Sequence, residues 1–106
     1  MNIVNLTPHA LNIYDENRNL VLVVEPSGTV ARVNVTRKLH RHLEGIPLYS
    51  TWYGDLLGLP EAEDNTICVV SAMVRAAVPH RHEVFAPGEL LRNEAGQVIG
   101  CIGLQQ

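Results

Sequence analysis

The sequence predicts a mainly β (α+β) fold, a single small β-barrel or sandwich of seven or eight short strands with one short helix. Gly, Pro, Asn and Asp interrupt the chain at short, even intervals, and β-branched residues fill the segments between them. Residues 29–36 alternate between two faces, as a half-buried strand does. Only residues 71–77 are dominated by helix formers. These three observations together predict strands as the main secondary structure.

The chain begins with three short predicted strands. Residues 3–6 and 10–14 are separated by Thr7-Pro8-His9, and the polar turn at 15–19 connects the second segment to residues 20–24. Residues 10–24 therefore predict a β-hairpin, because two apolar runs flank one polar turn. The composition of Pro26-Ser27-Gly28 is that of a turn.

The middle of the chain contains two longer segments. After the strand at 29–36, residues 37–44 are basic and are compatible with a helical turn, a loop or a strand end. Residues 46–53 predict a further strand, which Pro47 places near a sheet edge. Residues 54–65 contain two glycines, a proline and an acidic cluster, and predict a loop.

The last third of the chain predicts one central strand, one helix and one hairpin. Residues 66–70 are continuously apolar and β-rich, which is typical of a strand inside a sheet. Ser71 is a suitable N-cap for the helix that follows, and Pro79 ends that helix. The hairpin comprises residues 89–92, a turn at 93–96 and residues 97–104.

Composition limits the class of protein. A chain of 106 residues with 46% apolar and 18% charged residues has room for one domain, residues 1–106. The net charge of −3 argues against bulk attraction to nucleic acid or to an anionic membrane. No apolar run approaches the ~20 residues that span a bilayer, and the first residues lack the pattern of a signal peptide. We therefore expect a cytoplasmic protein, in which Cys68 and Cys101, both in apolar runs, are buried free thiols.

Two kinds of chemistry have candidate residues but no supporting pattern. His40-Arg41-His42 and His80-Arg81-His82 each place two imidazoles two residues apart, which on a strand would present both to one metal. Their polar flanks favour exposed loops instead, so we predict no metal site. None of the three serines lies in a Gly-x-Ser-x-Gly elbow, and no phosphate-binding glycine loop is present. The sequence therefore predicts no catalytic residue and no cofactor.

The basic residues suggest a third kind of site, one that binds an anion or a nucleotide. Seven of the eight basic residues are Arg, whose planar fork matches phosphate and carboxylate, although a GC-rich genome also enriches Arg. Phosphates would contact Arg side chains while an aromatic ring stacks on a base. The ligand-binding candidates are Trp52, Tyr53, Arg75, Arg81, Arg92 and Asn93. The alternative is that Trp52 and Phe85 are core residues and the Arg side chains are surface charges.

Several motifs along the chain resemble those of a family of small proteins common in tailed phages and prophages. These are Asn5-Leu6-Thr7-Pro8-His9-Ala10, Pro26-Ser27-Gly28-Thr29-Val30-Ala31-Arg32-Val33, Gly45-Ile46-Pro47, Gly54-Asp55-Leu56-Leu57-Gly58-Leu59-Pro60, Val69-Val70-Ser71, Pro87-Gly88 and Arg92-Asn93-Glu94-Ala95-Gly96-Gln97-Val98-Ile99-Gly100. The resemblance covers nearly the whole chain. Within that group the chain looks most similar to the Thoeris anti-defence sponges of the first type.

The resemblance implies a function. Such sponges bind cyclic ADP-ribose isomers made by TIR-domain immune enzymes of the host and hold them without cleavage, and some also bind cyclic oligonucleotides. They are homo-oligomers in which Arg, Asn and an aromatic ring grip the signal at subunit boundaries. By residue type and order, the corresponding residues here are Arg92, Asn93 and Tyr53. Two alternatives remain: a phage accessory protein that binds another protein, and a small nucleotide hydrolase or lyase with a His general acid or base.

Overall fold

Eight strands and one short helix make up the fold, and strands hold 55% of the residues. The structure is a computed structural model that describes residues 1–106. The strands are β1 (Asn2–Asn5), β2 (Leu11–Tyr14), β3 (Leu20–Val24), β4 (Arg32–Leu43), β5 (Ile46–Leu57), β6 (Thr66–Val69), β7 (Val84–Arg92) and β8 (Val98–Gln105), and the helix is α1 (Ala72–Ala77). The predicted fold class is confirmed.

Six of the strands form one sheet in the order β1-β6-β7-β8-β2-β3. The β2–β3 and β7–β8 pairs are the two predicted hairpins, and β6 lies inside the sheet as predicted. The sheet curls into a nearly closed, barrel-like shape. Its two edge strands approach each other where the Ser27 N–H donates to the carbonyl of Asn5 over 2.9 Å.

Asn5 joins the two edges of this sheet and is the one fully buried polar side chain, 1% exposed. Its Nδ2 donates to the carbonyls of His9 (2.8 Å) and Val24 (3.1 Å), the second of which ends β3. Its Oδ1 accepts from the backbone N–H of Thr7 at 2.9 Å. Burial of a side-chain amide costs free energy unless its N–H donors and its carbonyl oxygen are hydrogen-bonded. The Nδ2 and the Oδ1 of Asn5 both have partners. The Asn-Leu-Thr-Pro-His motif therefore has a structural role in closing the barrel.

The helix α1 begins as the sequence predicts. The Ser71 hydroxyl accepts from the Val74 N–H at 3.3 Å, which is the N-cap interaction. Val74 faces the sheet and is 2% exposed. At six residues, α1 is far shorter than a bilayer-spanning helix, and no helix of the structure could cross a membrane.

Two apolar clusters form the core. One lies between α1 and the sheet and includes Val70, Val74 and Val84; the other includes Leu11, Ile13 and Val69. Cys68 belongs to the first cluster and Cys101 to the second, and both are free and buried as predicted. Burial raises the pKa of both thiols, which keeps them protonated and unreactive.

The remaining two strands, β4 and β5, form a separate two-stranded ribbon, which we call the arm (residues 32–57). Glu44 and Gly45 make its turn, both with positive φ (49° and 83°). The sequence of residues 37–44 is compatible with a helical turn, a loop or a strand end. In the structure, β4 includes these residues as far as Leu43. The loop prediction for residues 54–57 was wrong, because they continue β5 opposite the start of β4.

The arm lengthens the molecule. Twelve residues at about 3.4 Å each give a ribbon roughly 40 Å long, and the molecule measures 49 × 38 × 22 Å. The radius of gyration is 16.4 Å, whereas a compact chain of this length has about 13 Å. The arm therefore projects from the rest of the chain, which we call the body (residues 1–31 and 58–106).

Candidate ligand-binding site at Arg75

The three candidate arginines of the second half lie on different parts of the body. Arg75 is on α1, Arg81 follows in the loop before β7, and Arg92 ends β7. A nine-residue strand at about 3.3 Å per residue separates Arg81 from Arg92 by roughly 25 Å or more. One chain alone therefore does not bring Arg81 and Arg92 to the same ligand.

Arg81 already has partners in its own chain. Its Nε pairs with the carboxylate of Glu83, and its Nη2 donates to the Pro60 carbonyl at 2.9 Å. Burial raises the pKa of Glu83, but a backbone N–H and the Arg81 guanidinium outweigh it, so the pKa lies below its ordinary value. Arg81 thus ties the loop before β7 to the loop before β6.

Arg92 and Asn93 also bond within the chain, around the turn of the last hairpin. Arg92 Nη1 donates to the Gly96 carbonyl at 2.8 Å. Asn93 Oδ1 accepts from the Gln97 N–H at 3.0 Å, as an Asn at the start of a turn commonly does. Both side chains therefore stabilise the turn in the free chain, and a ligand contact would have to replace or add to these bonds.

The two aromatic candidates lie on the arm. Trp52 is opposite Thr36 and Tyr53 is opposite Val35, so the two rings point to opposite faces of the ribbon. The alternative that Trp52 is a core residue is wrong, because 60% of it is exposed, and Tyr53 is 49% exposed. Only one of the two rings can face any one ligand.

Arg75 is the candidate with a buried donor that has no hydrogen-bond partner. Its Nη1 donates to the Val78 carbonyl at 2.8 Å, which anchors the guanidinium at the C-terminal end of α1. Its Nε is buried and has no hydrogen-bond partner, in contrast to that of Arg81. A buried donor on a charged group without a partner is destabilising by roughly 1–3 kcal/mol or more. Because this Nε is closed off from solvent, a phosphate or carboxylate would contact Nη2, which makes no hydrogen bond within the chain.

A cavity of about 430 Å³ adjoins Arg75. Its floor consists of the small side chains of Ala72, Ala76 and Ala86, and the carboxamides of Gln105 and Gln106 lie at its rim. Each carboxamide is held through its Nε2, which donates to the carbonyl of Pro87 or of His82. The cavity is within the ~300–1,000 Å³ range of small-molecule sites and combines an apolar floor with a few polar groups.

A second groove, of about 520 Å³, runs along β2 and β8. Six of its eleven lining residues are hydrophobic, and none is Arg or Lys. Its polar side chains include His9 and Asn12, and Asn12 Nδ2 donates to the Ile99 carbonyl at 3.0 Å. For an anionic ligand, the cavity at Arg75 is therefore the better candidate.

The two His-Arg-His tripeptides are placed on separate elements. His40 and His42 belong to β4, where a register shift between Leu39 and Arg41 interrupts the regular alternation. His80 and His82 are exposed in the loop after α1. The structure holds no group of three or more His, Cys, Asp or Glu residues that could bind a metal ion.

Sequence reasoning identified Arg75 but not the groups around it. Gln105 and Gln106 carry no motif, and they reach the cavity because β8 runs beside β7 next to α1. In comparisons with known proteins, the chain matches no family model, no curated protein and no solved structure. The cavity at Arg75 is therefore assessed on its own chemistry.

Proposed function

We propose that this protein binds and sequesters a small nucleotide signal, a cyclic ADP-ribose isomer, without cleaving it. The observation that carries the proposal is the guanidinium of Arg75, which is hydrogen-bonded within the chain through Nη1 alone, beside a cavity of nucleotide-binding size. In its biological setting it would act as a phage-type anti-defence protein in the cytoplasm of the host cell, which agrees with the motifs quoted above.

The ligand chemistry fits the groups at the cavity. A cyclic ADP-ribose carries a pyrophosphate, ribose hydroxyls and a purine ring. Nη2 of Arg75 would donate to a phosphate, and the free carboxamide oxygens of Gln105 and Gln106 would accept from ribose hydroxyls. A purine still needs a flat partner, and the cavity has no aromatic lining residue.

A second copy of the chain would supply that ring. Tyr53 or Trp52 is exposed on the arm and would stack on the purine when the arm of one copy lies near the body of another. Arg92 and Asn93, or Arg81, would contact a phosphate by replacing or adding to the bonds that they already make. We therefore place the ligand at a boundary within a homo-oligomer.

The second candidate function is binding of another protein, as in a phage accessory protein. The observation that favours it is the exposed apolar surface of the arm, on which Leu39 and Trp52 are 53% and 60% exposed. Nucleotide binding distinguishes the two functions, because a purely protein-binding role predicts no affinity for a cyclic ADP-ribose.

The test is calorimetric titration of the protein with 1″-linked cyclic ADP-ribose isomers. We expect Arg75→Ala to weaken binding about 10- to 100-fold, since a charge-assisted hydrogen bond contributes about 1.5–3 kcal/mol. Arg75→Lys should recover only part of the loss, because an ammonium lacks the separate guanidinium nitrogens that bond the Val78 carbonyl and the phosphate at once. Arg18→Asn is the matched control: it also removes one positive charge, at a turn residue with φ 64° that Asn tolerates.

Unchanged affinity in Arg75→Ala, or an equal loss in Arg18→Asn, would contradict the assignment of the site. The absence of binding by wild-type protein to any cyclic ADP-ribose isomer would contradict the proposed function itself. Thermal denaturation of each free variant checks that a loss of affinity is not a loss of folding.

A further inference from the structure

The arm packs on its own chain only at its base, where Val33 and Leu56 contact the first apolar cluster. No third strand pairs with β4 or β5, and both faces of the ribbon are exposed over most of its length. Eight of the seventeen large hydrophobic side chains that are exposed in the structure lie on it. These eight are Val35, Leu39, Leu43, Ile46, Tyr49, Trp52, Tyr53 and Leu57.

A ribbon of this kind is not stable alone in water. An isolated two-stranded hairpin is marginal, and independent stability needs a third strand or a packed face. Both faces of the ribbon carry apolar side chains. Leu39 and Tyr49 lie opposite each other on one face, and Trp52 lies on the other face. The stacking of Arg37 on Tyr49, 4.8 Å from the ring centroid, covers only a small part of this surface. Beyond its base, the arm is therefore suited to pack against a partner molecule.

The arm and the body have net charges of opposite sign. The arm has four Arg or Lys residues against two Asp or Glu residues, a net charge of +2. The body has four Arg or Lys residues and nine Asp or Glu residues, a net charge of −5. Together, the two parts give the net charge of −3 for the whole chain. The arm of one copy and the body of another are thus electrostatically complementary, which orients and accelerates association.

We propose that the arm is the interface through which copies of this chain associate, with the arm of one copy lying against the body of another. A second copy is present whenever the chain is made, so it is always available to pack against the arm. The size is adequate: a ribbon about 40 Å long and about 10 Å wide offers roughly 800 Å² over its two faces, which is what one partner of a standard interface buries.

The same features argue against nucleic acid as the partner. A protein that neutralises phosphates presents mainly Arg and Lys at its contact surface. The arm has eight exposed large hydrophobic residues but only four basic residues. The negative charges of Glu44 and Asp55 cancel two of its four positive charges. This inference extends the homo-oligomer part of the proposed function and to that extent rests on it, but its test needs no nucleotide.

The test combines sedimentation with the fluorescence of Trp52, the single tryptophan. Wild-type protein at about 1–100 μM should sediment above the 11.7 kDa of one chain, with Trp52 shielded from acrylamide at the high end. Leu39→Ser/Tyr49→Ser should sediment as a monomer with Trp52 fully quenched. Lys38→Glu/Arg41→Glu should weaken association at least ~10-fold, because it reverses the charge of the arm.

Leu20→Ser is the matched control, since Leu20 is as exposed (54%) as Leu39 (53%) but lies on β3, which contributes no residue to the cavity at Arg75. It should leave the mass unchanged. A wild-type monomer with freely quenched Trp52, or unaltered association of the double-serine variant, would overturn the proposal. A monomer that binds a labelled DNA duplex would assign the arm to nucleic acid instead. If circular dichroism shows that an arm variant does not fold, the proposal is tested by the wild-type protein alone, through its sedimentation mass and the quenching of Trp52.

Discussion

Gly88→Ala is expected to destabilise the protein by at least ~3 kcal/mol and to reduce its soluble yield. A Cβ at this position of β7 would lie 2.0 Å from the Ile102 carbonyl oxygen and 2.9 Å from that of Gly103. Both atoms belong to the backbone of β8, so no side chain can rotate away. Overpacking of a core typically costs ~1–3 kcal/mol, and a clash with backbone exceeds that range.

The measurement for Gly88→Ala is urea denaturation, and Gly54→Ala is the control. Gly54 is also a strand glycine, but its Cβ would meet its nearest atoms at 3.4 Å, an ordinary contact. Gly54→Ala should therefore change the free energy of unfolding by less than ~1 kcal/mol. Equal stability of Gly88→Ala and wild type would show that β7 and β8 are not in the register described here.

Asn5→Ala is expected to lower the free energy of unfolding by about 2–4 kcal/mol, because it leaves the carbonyls of His9 and Val24 without their donor. Asn5→Asp keeps the shape but replaces the donor with a carboxylate that faces the same two carbonyls. We expect it to be destabilised as well, which separates the lost hydrogen bonds from the lost volume.

Denaturation in urea at pH 7 measures both Asn5 variants, with Asn2→Ala as the control on the exposed end of the same strand. That substitution should be nearly neutral. If Asn5→Asp were as stable as wild type, the Nδ2 donor would not be what joins the two edges of the barrel. The expected loss is large because Asn5 belongs to β1 and its side chain bonds to the Val24 carbonyl at the end of β3.

The sequence predicts those secondary-structure elements that are determined by residues close together in the chain. The β2–β3 hairpin follows from one polar turn between two apolar runs, and the start of α1 follows from the Ser71 cap. The strand prediction for residues 20–24 matches β3 (Leu20–Val24) without error at either end. In each case, the residues that determine the element lie within a few positions of one another.

The arm could not be predicted in full because its determinants are not local. Residues 37–43 are mostly basic and polar, and they are strands only because residues 46–51 pair with them. The role of Asn5 likewise depends on Val24, nineteen residues away. For the candidate site, sequence named Arg75 by residue type, but its unpaired Nε and the neighbouring Gln105 and Gln106 follow from tertiary packing.

The central claim is that the protein holds a cyclic nucleotide intact, and recovery of the bound molecule tests it most directly. Wild-type protein is incubated with a 1″-linked cyclic ADP-ribose isomer, freed of unbound ligand by gel filtration and denatured by heat. The supernatant is then analysed by mass spectrometry. We predict that the unaltered cyclic nucleotide is released in near-stoichiometric amount. Recovery of linear ADP-ribose, or of no nucleotide at all, would contradict sequestration.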